Sequence, residues 1–198
     1  MPPVRLAAAS LLFAALIAGS SGAADIVERL SVPGPISFNG ESYRLSWSSH
    51  PAANYYKQEY LPAGETSEHY RSMVLLEAIQ GADVQRVVSA KVDWLNRRKA
   101  SDPTVNFAIA RNPTTGEVIL DFILSADAPK TEPIVEWNAY RYAALNSAGG
   151  KPGVLLLGLS RRAYGDASAE FLRALKSARP PMIDALAKHP LPVVQPKD

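Results

Sequence analysis

Between Tyr43 and Arg161 the chain is a succession of strand-length runs joined by short turns, with a single long interruption. That rhythm limits the folds open to it. Tyr43 to Trp47 alternates apolar and polar residues as a half-buried strand does. Tyr55 to Leu61 follows across turn residues and Pro51, and Pro62-Ala63-Gly64 closes the pair. Met73 to Ile79 is an apolar run suited to a strand covered on both faces, after a polar segment, Glu65 to Arg71, that reads as a short helix with Thr66 or Ser67 as N-cap. Thr104 to Ala110 and Glu117 to Ser125 flank a hairpin-type loop, and the glycine-rich Asn146 to Lys151 joins Ile134 to Leu145 with Gly153 to Arg161.

The interruption, Ala82 to Lys99, repeats Val84, Val87, Val88, Val92 and Leu95 at helical spacing, with Arg86, Lys91 and Asp93 elsewhere on the wheel. Arg97-Arg98-Lys99 suits the negative end of the helix dipole. A further helix starts at Asp166 or Ser168 and buries Phe171, Leu172 and Leu175 until Pro180-Pro181 breaks it. A short one follows over Met182 to Lys188. Parallel neighbours would need helical crossovers between strands, so the expectation is an α+β fold, an antiparallel sheet of about six to seven strands with helices packed on it.

The first residues predict export. Arg5, the 13-residue apolar stretch Leu6 to Ala18 and the small residues Gly19 to Ala24 have the layout of a signal peptide, with cleavage after Ala23 or Ala24. A membrane-spanning helix needs about 20 apolar residues. The expected organisation is a signal peptide over residues 1–23, one α+β domain over 24–189, and a flexible tail over 190–198. The chain has no cysteine, hence no disulfide and no lipidated Cys. No Asn-X-Ser/Thr sequon with X other than Pro occurs either, and the expected compartment is the periplasm or the exterior of a bacterial cell. Without Arg5 the chain holds 20 basic and 19 acidic residues, so charge gives no case for nucleic acid.

The usual traces of chemistry are missing. There is no Gly-X-Ser-X-Gly elbow, and Ser160 lies within a strand-like run. His50, His69 and His189 stand in separate segments without metal-ligand spacing, and Glu59, Glu65, Glu68 and His69 read as a solvated face. Gly149-Gly150-Lys151-Pro152 lacks the helix N-terminus that a phosphate loop requires. No catalytic residue, metal ligand or cofactor is assigned. What stands out is aromatic: Trp47, Tyr55, Tyr56, Tyr60 and Tyr70 cluster in the first third. Tyr55 and Tyr56 must face opposite sides of a strand, so at least one tyrosine is expected to face outward or line a groove. Tyr55, Tyr56, Tyr60 and Tyr70 are therefore the candidate contact residues.

Glu59 to Val74 resembles a pattern of PsbP-like and DcrB-like proteins, in which a strand ends in a Pro/Gly turn, a short acidic helix with an aromatic follows, and the next strand begins. The resemblance implies a compact antiparallel sheet sandwiched by helices, and a non-catalytic envelope, assembly or adaptor role. The expectation is a binding accessory whose partner is another envelope protein, met through the sheet edge or the aromatic region. A small-molecule or lipid carrier with a pocket between sheet and helices is the alternative, and a hydrolase the third reading.

Overall fold

The computed structural model describes residues 26–126, 132–145 and 151–197. The expected signal peptide, with its cleavage points, and the glycine-rich turn at 146–150 lie outside the described residues. Eight strands and two helices follow in order: β1 (Ile36–Phe38), β2 (Glu41–Ala52), β3 (Tyr55–Leu61), β4 (Ser72–Gln80), α1 (Val84–Arg98), β5 (Asn106–Arg111), β6 (Val118–Ala126), β7 (Ile134–Leu145), β8 (Gly153–Tyr164) and α2 (Ala167–Lys188). All neighbours in the sheet are antiparallel, in the order β1-β2-β3-β4-β8-β7-β6-β5. Each half is thus a four-strand meander followed by a helix, and the last strands of the two meanders pair at the centre. The α+β class stands. The strand count exceeds the six to seven expected because the three-residue β1 is too short to show periodicity.

Strand alternation sends side chains to two cores. On one face Val74, Leu76, Trp137, Leu157 and Leu159 meet Leu175, Met182 and Leu186 of α2. On the other, Leu75, Leu120, Phe122 and Leu156 meet Val88 and Leu95 of α1. Gly158 sits at the centre of the second face, between Leu75 on β4 and Tyr140 on β7. A Cβ there would lie 2.7 Å from the Leu75 side chain, so a larger residue displaces the packed core.

α1 begins as its sequence dictates, with the Asp83 carboxylate accepting from the Arg86 amide at 2.8 Å. α2 departs from expectation, since it runs unbroken through Pro180 and Pro181. Both prolines are exposed, as are Lys176 and Ser177, whose carbonyls lose their usual i+4 donors and can turn to water instead. The opposite stripe, Leu175, Met182 and Leu186, holds the helix to the sheet. Leu172, expected in the core, stays 36% exposed. The buried Arg141 donates to the carbonyls of Leu186 (3.1 Å) and His189 (2.7 Å) at the end of α2 and pairs with Glu117 at 2.9 Å.

Glu65 to Arg71 forms turns rather than the expected helix. The His69 amide bonds the Thr66 hydroxyl, and the Glu65 carboxylate takes the amides of Arg71 and Ser72. The side chain outcompetes a helical carbonyl over so short a span. The lead-in 26–35 crosses the α2 face. Gln58, fully buried, accepts the amides of Arg29 and Leu30 and donates to the Val32 carbonyl, which also receives the Tyr60 hydroxyl at 2.6 Å. The C-terminal segment, read from its prolines as a loose tail, lies along this lead-in. The amides of Gln195 and Lys197 donate to the carbonyls of Leu30 and Arg29, and Val194 is buried.

Candidate functional site

Alternation divides the four candidate tyrosines between the two faces. Tyr56 and Tyr60 lie in the α2-face core, Tyr56 stacked on His50 with ring centroids 4.2 Å apart. Tyr55 and Tyr70 lie on the α1 face, where their hydroxyls donate to Glu77 and Glu136, both at 2.8 Å. The structure does not bring the four together. Tyr55 is half-buried and the other three are buried, so the outward ring of this group is Trp47, 39% exposed, with the Lys57 ammonium 5.5 Å from its centroid.

Tyr55 and Tyr70 instead belong to a buried polar network under α1. The Glu136 carboxylate pairs with Arg162, accepts from Tyr70 and takes the Asn138 amide at 2.9 Å, while the Ser160 hydroxyl donates to Asn138. Toward β3, Lys57 pairs with Glu59 at 2.7 Å. Burial opposes the Lys57 ammonium, yet Glu59 and Glu77 outweigh it and raise its pKa. Burial and the Glu136 charge push the Tyr70 hydroxyl well above the ordinary phenol value. These acids, bases and hydroxyls satisfy one another, which is what allows charge to sit inside a core.

Lys91 is the exception. It projects from α1 into this network with 8% exposure and, among the described residues, makes no ion pair. Its ammonium lies 4.5, 4.7 and 5.4 Å from the ring centroids of Trp94, Phe122 and Tyr140. Burial lowers its pKa to about 8 against the opposing pull of Glu77 and Glu136. Its residue type sets Lys91 apart from the apolar stripe, but it follows Val88 by three positions and precedes Leu95 by four, which is the centre of that stripe. Position, rather than residue type, carried the signal.

A second feature lies at the far side of the sheet. Among the described residues β5 pairs only with β6, and its residues are exposed except for the half-buried Phe107. On the α2 face two hollows run beside it. One of about 180 Å³ lies by Asn106, Ile123, Leu172 and Leu175. An open cleft of about 690 Å³ is bounded by Ala110, Ile119, Ile183 and Ala187. Lys176 and Arg179 line both. Arg179 bonds the buried Asp121, which also accepts from the Trp137 indole at 3.3 Å, and so bridges helix and sheet between the hollows. In sequence, Asn106 to Arg111 has the pattern of any short strand; that it ends the sheet is a property of topology.

Elsewhere, Ser160 is a core hydroxyl and His69 stacks on Tyr164 with centroids 4.2 Å apart. Among the described residues no group of three His, Cys, Asp or Glu side chains is placed to hold a metal ion, and no helix is long and apolar enough to cross a membrane. No curated protein and no solved structure matches the chain. A protein-family model does match, over residues 30–191, from the buried Leu30 of the lead-in to the residues that follow α2, and the chain belongs to that family.

Proposed function

We propose that this protein is an exported, soluble and non-catalytic accessory of the cell envelope, periplasmic or secreted, that binds another envelope protein through its sheet edge. The observation that carries the reading is β5: among the described residues an exposed edge strand with no neighbour beyond it, of whose outward amides that of Phe107 is taken by the Asn106 side chain at 2.8 Å. The buried ionisable groups under α1, by contrast, are mostly engaged with one another and leave little for a substrate. The resemblance of Glu59 to Val74 to PsbP-like and DcrB-like proteins, and a sheet with a helix on each face, point the same way. The turns at Glu65 to Arg71 depart from that pattern. Binding is assigned to the edge rather than to Tyr55, Tyr56, Tyr60 and Tyr70, because those rings are committed to the interior.

Fractionation and N-terminal sequencing should find the protein outside the cytosol, beginning at Ala24 or Asp25. Pulldown from envelope extract with wild type and with Ile109→Lys tests the surface, since retrieval of the same partners by both would discard the edge. The second reading, a small-molecule or lipid carrier, is favoured by the cleft beside Ile119 and Ile183. A thermal-shift screen of lipids and metabolites that yields no stabilising ligand counts against it.

A further inference from the structure

We infer that the partner engages this protein as an extended segment that adds a ninth strand beside β5, with apolar side chains four residues apart seated in the two hollows and an acidic side chain between them. The inference rests on the accessory reading above and says what the edge selects.

β5 carries three residues on the α2 face, Asn106, Ala108 and Ala110, which pair with Ile123, Asp121 and Ile119 of β6. The smaller hollow lies at the Asn106 end and the larger at the Ala110 end. The Arg179–Asp121 bridge stands between them, level with Ala108. An added strand presents same-face side chains about 6.8 Å apart, so positions facing Asn106 and Ala110 are separated by about 13 Å with one same-face position between. That spacing matches hollow, bridge, hollow. Even the smaller hollow, about 180 Å³, has room for a benzene-sized ring, which would lie against Leu172 and Leu175 with Asp121 and Arg179 also in its wall.

Charge sets the middle position. Arg179 is committed to Asp121, but Lys176, exposed and bordering both hollows, makes no ion pair among the described residues. A carboxylate opposite Ala108 would meet it. A second copy of this chain is the weaker occupant. Its own β5 would offer only Asn106, Ala108 and Ala110 to this face and would leave both hollows empty.

The probe is a fluorescein-labelled peptide, Thr-Phe-Thr-Glu-Thr-Leu-Thr, alongside the same peptide methylated on alternate backbone nitrogens so that one edge cannot donate. Fluorescence anisotropy with the purified protein should give saturable binding of the plain peptide. Methylation should weaken it at least tenfold, Ala110→Trp, which fills the larger hollow, at least tenfold, and Lys176→Glu about fivefold. Amide exchange over Asn106 to Arg111 should slow when the plain peptide is bound. Equal affinity for plain and methylated peptide overturns strand addition, and needs no variant to fold. No binding at millimolar peptide, with the same envelope partners retrieved by wild type and Ala110→Trp, overturns the inference while leaving the accessory reading intact. A dimer in sedimentation that Ala110→Trp abolishes makes a second copy the occupant and overturns it too. A protein retained in the cytosol that still binds the peptide sinks the accessory reading alone.

Discussion

At one side of the sheet β2 is fenced. β1 covers its first residues, the register with β3 shifts between Leu45 and Trp47 and again between Ser49 and Ala52, and Pro51 removes a donor from the strand. At the other side β5 has none of these devices. Its six residues pair with β6 without a shift, contain no proline, and carry no charge before Arg111 at the end. Soluble proteins blunt their sheet edges by bulges, prolines, charges or covers because a bare edge recruits other chains. Here three such devices stand on one edge and none of the three on the other. A partner is to be sought along β5, and each half of the contrast can be tested by mutation.

The largest effect is expected on the closed side. Gln58 is the latch that ties the lead-in to β3, and Gln58→Leu leaves the Arg29 amide without its acceptor and takes one of two bonds from the Leu30 amide, which keeps Glu28, and from the Val32 carbonyl, which keeps Tyr60. At about 1–3 kcal/mol for the one unsatisfied amide and about 1 kcal/mol for each further bond lost, the loss should be about 4 kcal/mol in urea unfolding. Amides near Leu30 and Gln195 should lose protection together, since the C-terminal segment hangs on the lead-in. A loss below 1 kcal/mol would mean that the latch closes nothing.

Next in size is the hold of α1 on the half of the sheet that ends in β5. Between pH 8 and 10.5 the unfolded chain keeps the Lys91 proton while the folded state, in which burial lowers the pKa to about 8, has released it. The unfolded state then binds more protons, so stability from this group rises with pH across that window and is weakest below it. At pH 7 Lys91→Met should therefore stabilise the protein by up to about 3 kcal/mol, at 1.36 kcal/mol per pH unit, with the gain fading toward pH 10.5. Peptide binding at β5 should be unchanged. If tightening α1 also abolishes binding, the bare edge is a symptom of a loose flank rather than a site.

Much of this architecture was legible beforehand, and the parts that were not share a cause. β3 and β7 have the bounds that alternation and turn residues predict, Tyr55–Leu61 and Ile134–Leu145, and α1 lies within the span its valines mark. Periodicity is a local property and reads well. Which strand ends the sheet, which glutamate in an apolar run is paired across the sheet, and whether Val194 finds a groove depend on residues distant in sequence. Glu136 meets Tyr70 across 66 positions, and Gln195 meets Leu30 across a longer span still. The double proline misled for another reason: its cost depends on which helix face it occupies, and here that face is solvent.

A smaller effect belongs to the bridge between the hollows. Arg179→Ala strands the Asp121 carboxylate, 5% exposed, with only the Trp137 indole as a side-chain partner. Because the Arg179 side chain is itself 39% exposed, the cost should be about 2 kcal/mol rather than the larger loss of a fully buried pair. Asp121→Asn in the same background should restore most of it, a recovery that a mere packing role for Arg179 would not give.

The smallest change in stability should come from the substitution that bears most directly on the contrast. Ile109 lies in β5, 39% exposed, with its side chain toward the α1 face beside Leu120. Ile109→Lys supplies the charge that a protected edge carries, and it should shift unfolding by no more than about 0.5 kcal/mol, as surface changes do. Strand addition should nevertheless weaken severalfold, because the new ammonium must be desolvated by any chain that pairs there. If the lysine lowers stability while association is untouched, β5 is an ordinary strand whose exposure has no use. If association falls while the melt is unchanged, the open edge is a feature maintained for contact, and the fence around β2 is its counterpart.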